Sequence, residues 1–357
     1  MRKSSRKASG NILFVGPFAP PYNGDGVKNS CLKAGFEGAG IKGVEWFDTI
    51  ARQGPRWRNN LRLLAKMWGS YQIIFSLNKY GRYYLLPIFA LMQTLRTKKG
   101  VLYVVGGSFH QQLQNDLSPW RRRWMVACLN RLDGVFAESR ALQQGLEACG
   151  LRKVELVFNP RRDSGQRWDL NEAAQGRIVF ISRVTRTKGI HDLLEAVGRL
   201  LLAGRCVQLD VYGPVDPMDE PLLQKAVRES GGRIKYCGLV EPGKVQEVLA
   251  AYHFLVLPTF HPGEGLPGVL VEAGMAGLPL LISRFSALPE YFEEGESALF
   301  TAPRDVAALV TAMERLLVDE ALCRRLSTGV QKVVQPFRME AVVAQSLDLL
   351  HAYKWTW

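Results

Sequence analysis

The chain contains no Asp-x-Asp, no Cys-x-x-Cys and no apolar run close to the roughly 20 residues that cross a bilayer. Its longest apolar candidate, Tyr83 to Met92, is about ten residues long and contains Pro87. The six cysteines, Cys31, Cys128, Cys149, Cys206, Cys237 and Cys323, are scattered without a framework spacing. That excludes a disulfide-stapled module and predicts reduced, mostly buried thiols of a cytosolic protein. The five histidines show no metal-ligand spacing. No helix-turn-helix, zinc-finger or RNP-like pattern is present, which argues against nucleic acid as a partner. The basic start (Arg2, Lys3, Arg6, Lys7, then Ile12–Val15) imitates a secretion signal. Its apolar stretch is too short and Pro17, Pro20 and Pro21 follow at once, so it reads as a first buried strand.

What the chain does have is length and an uneven charge. At 357 residues with 47% hydrophobic content it has enough material for two globular domains with sizeable cores. The net charge is +13. Residues 1–160 hold 24 Lys and Arg against 9 Asp and Glu, whereas the remainder holds 22 against 24. All the excess basicity therefore lies in the first half. Basic residues there sit beside aromatics, as in Arg56-Trp57-Arg58, Arg82-Tyr83-Tyr84 and Trp120-Arg121-Arg122-Arg123-Trp124. Such a face suits an anionic membrane surface, at about 1 kcal/mol per basic residue near the headgroups, with Trp and Tyr at the interface. An ordinary solvated basic face is the simpler alternative.

Short apolar runs alternate with helical stretches, the pattern of parallel sheets covered by helices. Strands are expected at Asn11–Val15, Gly43–Trp46, Ile73–Ser76, Val101–Val105, Gly134–Ala137 and Val154–Phe158. A second set is expected at Arg177–Ile181, Gln208–Tyr212, Ile234–Cys237, Phe254–Leu257, Leu280–Ile282 and Ala298–Phe300. Helices include Ile190–Ala203 and Asp305–Val318. The polar stretch Asn159–Gly176 reads as a linker, and Arg338–Trp357 as an amphipathic helix. The expected class is α/β: two Rossmann-like, doubly wound domains, 1–165 and 166–335, facing across a cleft at the carboxyl ends of their strands. Residues 336–357 would form a helix returning to the first domain.

Three segments carry possible chemistry. His261-Pro262-Gly263-Glu264-Gly265-Leu266-Pro267-Gly268 follows a strand and runs into a helix carrying Glu272. Its glycines permit close backbone approach, Pro267 suits the first helical turn, and the two carboxylates could bind sugar or ribose hydroxyls. Two solvated glutamates on an ordinary strand–loop–helix unit is the plainer reading. Arg183, at the end of a strand, and Lys188, just before a helix, form a possible diphosphate site with the helix N-terminus. Gly24 and Gly26 could admit a phosphate after the first strand, although G-x-G-x-x-G is absent. His110, past the carboxyl end of another strand, could hydrogen-bond a hydroxyl or move a proton; a lone histidine is more often structural. Glu138-Ser139 and Asn159-Pro160 look like turn and cap chemistry.

Taken together, Pro20–Gly26, His110, Asn159-Pro160, Ser182–Gly189, Val211–Pro214, Tyr236–Val240, Leu257–Gly277, Leu288–Glu290 and Gly295 resemble the retaining glycosyltransferases of family GT4, with the GT-B fold. Glu264 and Glu272 stand in the family's E-x7-E motif. The resemblance implies transfer of a sugar from a nucleoside-diphosphate sugar to a hydroxyl of a saccharide or polyprenyl-linked acceptor, in bacterial surface polysaccharide or glycolipid assembly. It implies Arg183, Lys188, Gly24 and Gly26 near the donor diphosphate and Glu272 on the ribose. Glu264, with Gly265, Leu266, Pro267 and Gly268, would meet the sugar, and His110 would stand beside it. Gly238, Leu239 and Val240 would meet the nucleobase. With no Asp-x-Asp, neither a metal nor another cofactor is implied. Two departures are Asn23-Gly24-Asp25-Gly26, where paired glycines are usual, and Ser182, where glycine commonly precedes the arginine. The implied location is cytoplasmic, peripheral to the inner face of the plasma membrane. The competing readings are a non-catalytic sugar-nucleotide or membrane-binding protein of the same fold, and a nucleotide-sugar epimerase.

Overall fold

Residues 12–20, 24–50, 55–171 and 174–357 are described in a computed structural model of the chain. Asn11, Pro21, Tyr22 and Asn23 of the sequence expectations lie outside them. The chain forms two compact units, Met1–Pro160 with Met339–Trp357, and Arg161–Arg338.

The first unit is built on six strands: β1 (Ile12–Gly16), β2 (Val44–Asp48), β3 (Gln72–Leu77), β4 (Lys99–Val104), β5 (Gly134–Ala137) and β6 (Val154–Leu156). They pair in parallel in the order β2-β1-β3-β4-β5-β6, with Ile12 opposite both Val44 and Gln72. Side chains alternate across a strand, so β1 feeds two cores. Leu13 and Val15 pack with Ile73, Phe75, Leu86 and Phe89 on one face. Ile12 and Phe14 pack with Leu32, Phe36 and Tyr103 on the other. That second core is completed by Val342, Val343 and Leu350 of the helix Met339–Ala352 and by Trp355. The Trp355 indole N–H donates to Asp133 at 3.1 Å, and the Lys99 ammonium donates to the Tyr353 carbonyl at 2.8 Å. The expected C-terminal helix therefore does belong to the first unit.

The second unit holds β7 (Arg177–Ile181), β8 (Gln208–Tyr212), β9 (Ile234–Tyr236), β10 (Phe254–Leu257), β11 (Leu280–Ser283) and β12 (Leu299–Thr301). Their order is β12-β11-β10-β7-β8-β9, again all parallel. All twelve expected strands exist, displaced by at most two residues at an end. The order reverses between β7 and β10, which places a crevice outside the carboxyl ends of those two strands.

The structure adds detail to three expectations and corrects the last. The stretch Asn159–Gly176 is no free tether: Trp168 is buried and its indole donates to the Tyr252 carbonyl at 2.9 Å, while Ser164 donates to Gln246. The apolar run at Tyr83 belongs to a longer helix, Lys79–Leu95, that continues through Pro87. The cysteines are free, but only Cys128 and Cys323 are buried, and Cys206 and Cys237 are exposed. Among the described residues, no helix is long and apolar enough to cross a membrane.

Candidate active site

The loops that leave β7 and β10 meet at the crevice of the second sheet. After β7 the chain passes Ser182 and exposed Arg183, makes a short turn at Arg186–Lys188 and enters the helix Ile190–Leu202. Gly189 joins turn to helix with φ +83°, and a β-carbon there would lie 2.2 Å from the Pro258 carbonyl oxygen at the end of β10. Only glycine satisfies both demands. The close approach brings the two loops together, with the Phe260 N–H donating to the Thr187 carbonyl at 2.8 Å. The turn is further held by Asp219, which accepts from the Arg186 N–H at 2.9 Å and pairs with the His191 ring at 2.6 Å.

Lys188 and Glu264 form an ion pair in this crevice, their side chains 15% and 9% exposed. The same carboxylate accepts from the Thr259 hydroxyl at 2.9 Å, and the Glu264 carbonyl accepts from Ser286 at 2.7 Å. Beside them the His261 ring lies 3.0 Å from the Thr187 hydroxyl. Burial lowers its pKa, and the neighbouring cations Lys188 and Arg183 lower it further against the opposing effect of Glu264. Cations, a carboxylate and the first N–H groups of a helix, which have no intrahelical partner, are thus gathered in one place.

Glu272 stands apart from that cluster. Pro267 caps the helix Gly268–Ala276 and does not occupy its first turn, a correction to the expected start. Its extended ψ of 130° keeps it outside the helical conformation. Glu272 then falls in the second turn, 16% exposed, with its carboxylate 3.8 Å from the Arg161 guanidinium. Burial raises its pKa and Arg161 acts against that rise. Arg161 also lies over the start of the same helix: a β-carbon on Gly268 would meet its guanidinium at 1.9 Å. Gly265 and Leu266 form the partly exposed loop between the two glutamates.

After β9, Gly238 turns at φ +77° and its carbonyl accepts from the Gly213 N–H at 2.8 Å. Leu239 is exposed and Val240 partly so. This edge is built largely from backbone.

Gly24, Gly26 and His110 lie in the first unit. The helix Gly24–Gly38 begins at Gly24, which has no atom near its missing side chain, and Gly26 is buried. His110 is the second residue of the short helix Phe109–Asn115, packed against Gly145. Burial lowers its pKa, with the Gly107 backbone acting the other way. Glu138 and Asn159 hydrogen-bond one another, and Ser139 caps the helix Arg140–Ala148, as their turn and cap reading expects.

Sequence reading missed Arg161, Thr259, Asp219 and Ser286. Arg161 was hidden in a polar stretch that reads as linker. Thr259 carried a weak signal, a polar residue directly past the buried strand β10. Asp219 and Ser286 are brought in by folding alone, and nothing local marks them.

Comparison with known proteins agrees with this layout. The family model described as "Glycosyl transferases group 1" matches residues 175–319, nearly all of the second sheet and its loops. The lipopolysaccharide core biosynthesis glycosyltransferase LpsE of Rhizobium meliloti is 25% identical over 324 residues, 87% of this chain and 91% of that protein. An O-antigen chain mannosyltransferase B of Escherichia coli is 31% identical over 188 residues, covering 51% of this chain and 46% of the relative. Among solved structures, Anabaena Alr3699/HepE in complex with UDP superposes with a TM-score of 0.72 at 17% identity, over 96% of this chain and all of that one. The second unit therefore carries a group 1 glycosyltransferase domain, and the chain along its length has the GT-B fold.

Proposed function

We propose that this enzyme is a retaining transferase that moves a sugar from a nucleoside-diphosphate sugar, with UDP the first candidate carrier, to a hydroxyl of a saccharide or lipid-linked acceptor in surface polysaccharide or glycolipid assembly. The observation that carries the reading is the Lys188–Glu264 pair at the β7/β10 reversal, beside the start of the helix Ile190–Leu202. A diphosphate leaving group needs its growing negative charge neutralised, and a fixed ammonium at a helix N-terminus supplies that without reorganisation. In this reading Lys188 exchanges Glu264 for the diphosphate, with Arg183 as the second cation. Glu264 is then released to accept from the sugar hydroxyls, held in place by Thr259. Glu272 accepts from the ribose, and the backbone from Gly265 to Gly268 approaches the sugar. Gly238 to Val240 meets the base.

From the first unit, Gly24 and Gly26 face the donor and the neutral His110 imidazole hydrogen-bonds the sugar. Retention follows from front-face attack: the acceptor oxygen bonds to the anomeric carbon as the bond to the diphosphate oxygen breaks on the same side. The acceptor proton passes to that diphosphate oxygen. Glu264 positions and stabilises charge and forms no covalent intermediate. UDP complexes of HepE and the surface-polysaccharide relatives support this choice of donor and pathway class. The exposed Trp57, Trp120 and Trp124, stacked or flanked by arginines, support a peripheral position on an anionic membrane.

The test is a thermal-shift and calorimetric panel of nucleoside diphosphates and their sugar conjugates. A selective stabilisation of several degrees by one base is the expected result, and its loss in Lys188→Ala ties it to this site. No stabilisation by any nucleotide would end the reading.

A further inference from the structure

We infer that, of the two acceptor classes, this enzyme uses the lipid-tailed one and holds its apolar chain in a pocket of the first unit; this rests on the transferase reading above. The pocket has a volume of about 580 Å³ and lies outside the carboxyl ends of β1, β2 and β3, reached by Pro17, Thr49 and Asn78. The strand order of this sheet reverses between β1 and β3, so topology alone marks the place as a ligand crevice.

Its lining is mixed: Thr49, Asn59, Asn60 and Asn78 offer hydrogen bonds to the polar end of a ligand, and a separate group of side chains is aliphatic. Leu63 and Leu64, from the helix Arg56–Gly69, face Leu85 and Ile88, from the helix Lys79–Leu95. Aliphatic side chains from two facing helices suit a hydrocarbon chain and offer nothing to saccharide hydroxyls. Asp25, in the first turn of the helix Gly24–Gly38, also lines the pocket. Its carboxylate can accept from an acceptor hydroxyl, so a lining of both kinds suits an amphiphile.

The pocket wall continues onto the outer surface. Tyr80 and Tyr84 line the pocket yet are 69% and 70% exposed. The same two helices present exposed Trp57, Leu61, Trp68 and Leu91. Between Asp48 and Asp116 the sequence contains no acidic residue and ten Lys or Arg, of which Arg82 and Lys98 are buried against backbone carbonyls and do not contribute to the outer face. An anionic bilayer is the surface that such a face attracts, and a chain anchored in it reaches the pocket past the two tyrosines without crossing water.

The experiment titrates the full chain, with UDP present, with alkyl β-D-glucosides of six to ten carbons below their micelle concentrations, and with methyl glucoside. Affinity should rise about fourfold per methylene until the pocket is filled, while methyl glucoside shows no binding over the same range. Leu64→Gln and Tyr84→Ser should flatten the chain-length dependence. Tyr84 is exposed, so Tyr84→Ser keeps its fold, checked by melting, even where Leu64→Gln does not. A diazirine-bearing alkyl glucoside should label the helices Arg56–Gly69 and Lys79–Leu95. Affinity independent of chain length, labelling elsewhere, or full chain-length dependence in folded Tyr84→Ser overturns the proposal. Displacement of the glucosides by dihexanoyl phosphatidylglycerol at equal affinity also overturns it, since the pocket would then hold a bulk membrane lipid. UDP binding in the same samples separates the two claims: a flat series with UDP bound removes only the lipid acceptor, and absent UDP binding removes the transferase reading.

Discussion

Lys188 and Glu264 are 76 residues apart in sequence, yet they form one ion pair because their loops leave neighbouring strands at the point where the sheet reverses its order. The pair is poorly exposed on both sides, so each charge is stabilised chiefly by the other. In the proposed cycle the donor must replace that contact with a better one. Lys188→Ala and Glu264→Ala should each lower transfer by about 100-fold, roughly 3 kcal/mol of transition-state stabilisation. Lys188→Ala should also lower the melting temperature, since it leaves the Glu264 carboxylate without its counter-ion. Turnover like that of the unaltered enzyme in both variants would remove these residues from the site.

Gly189 and Gly24 separate structural from functional need. Gly189→Ala places a methyl group into the Pro258 carbonyl from a left-handed conformation, and should destabilise the second unit by at least about 1–3 kcal/mol. Gly24→Ala meets no atom within 4 Å and should leave the denaturation midpoint unchanged. If Gly24 faces the donor, the same substitution still reduces donor affinity. Denaturant titration and UDP calorimetry on both variants check the contrast.

Glu272 carries a cost that shows as a pH dependence. Its folded pKa is raised above the unfolded value by burial, so the folded state holds the proton more tightly. The stability it allows is fully present below the unfolded value near 4.5 and is lost as pH rises through the raised folded value. Glu272→Gln should therefore melt higher than the unaltered protein at pH 7 and converge with it towards pH 4. It should also bind UDP more weakly, as expected of a ribose ligand. Melting curves from pH 4 to 8 decide this, and a variant that gains no stability at pH 7 contradicts it.

The basic, aromatic face of the first unit predicts binding to vesicles rich in phosphatidylglycerol at low salt, reversed at high ionic strength. Trp57→Ser combined with Trp120→Ser should weaken it several-fold without changing UDP binding, because neither exposed side chain supports a core. Sedimentation with vesicles of graded anionic content is the measurement. No pelleting at low salt argues against a membrane position.

Much of the fold was legible because each sheet is buried on both faces, so its strands read as short continuous apolar runs such as Phe254–Leu257. Their ends were less clear, since residues such as Lys99 and Gln72 join a strand while using polar tips elsewhere. The Glu264 loop and the Lys188 turn were visible as strand–loop–helix units. Their pairing was not, because it depends on strand order, which no local pattern encodes. Arg161 was missed for a related reason: Gly268 and Glu272, which it meets, lie more than 100 positions further along the chain.

The helix Met339–Ala352 and Trp355 complete a core that Ile12, Phe14 and Phe36 begin. During synthesis those two halves emerge with the entire second unit between them. The second unit can therefore close while its tail is still in the ribosome, whereas the first must wait with one face of its sheet uncovered. A protease cut near Arg338 would separate the first unit from its own last segment, Met339–Trp357, while leaving the second unit's segment uncut.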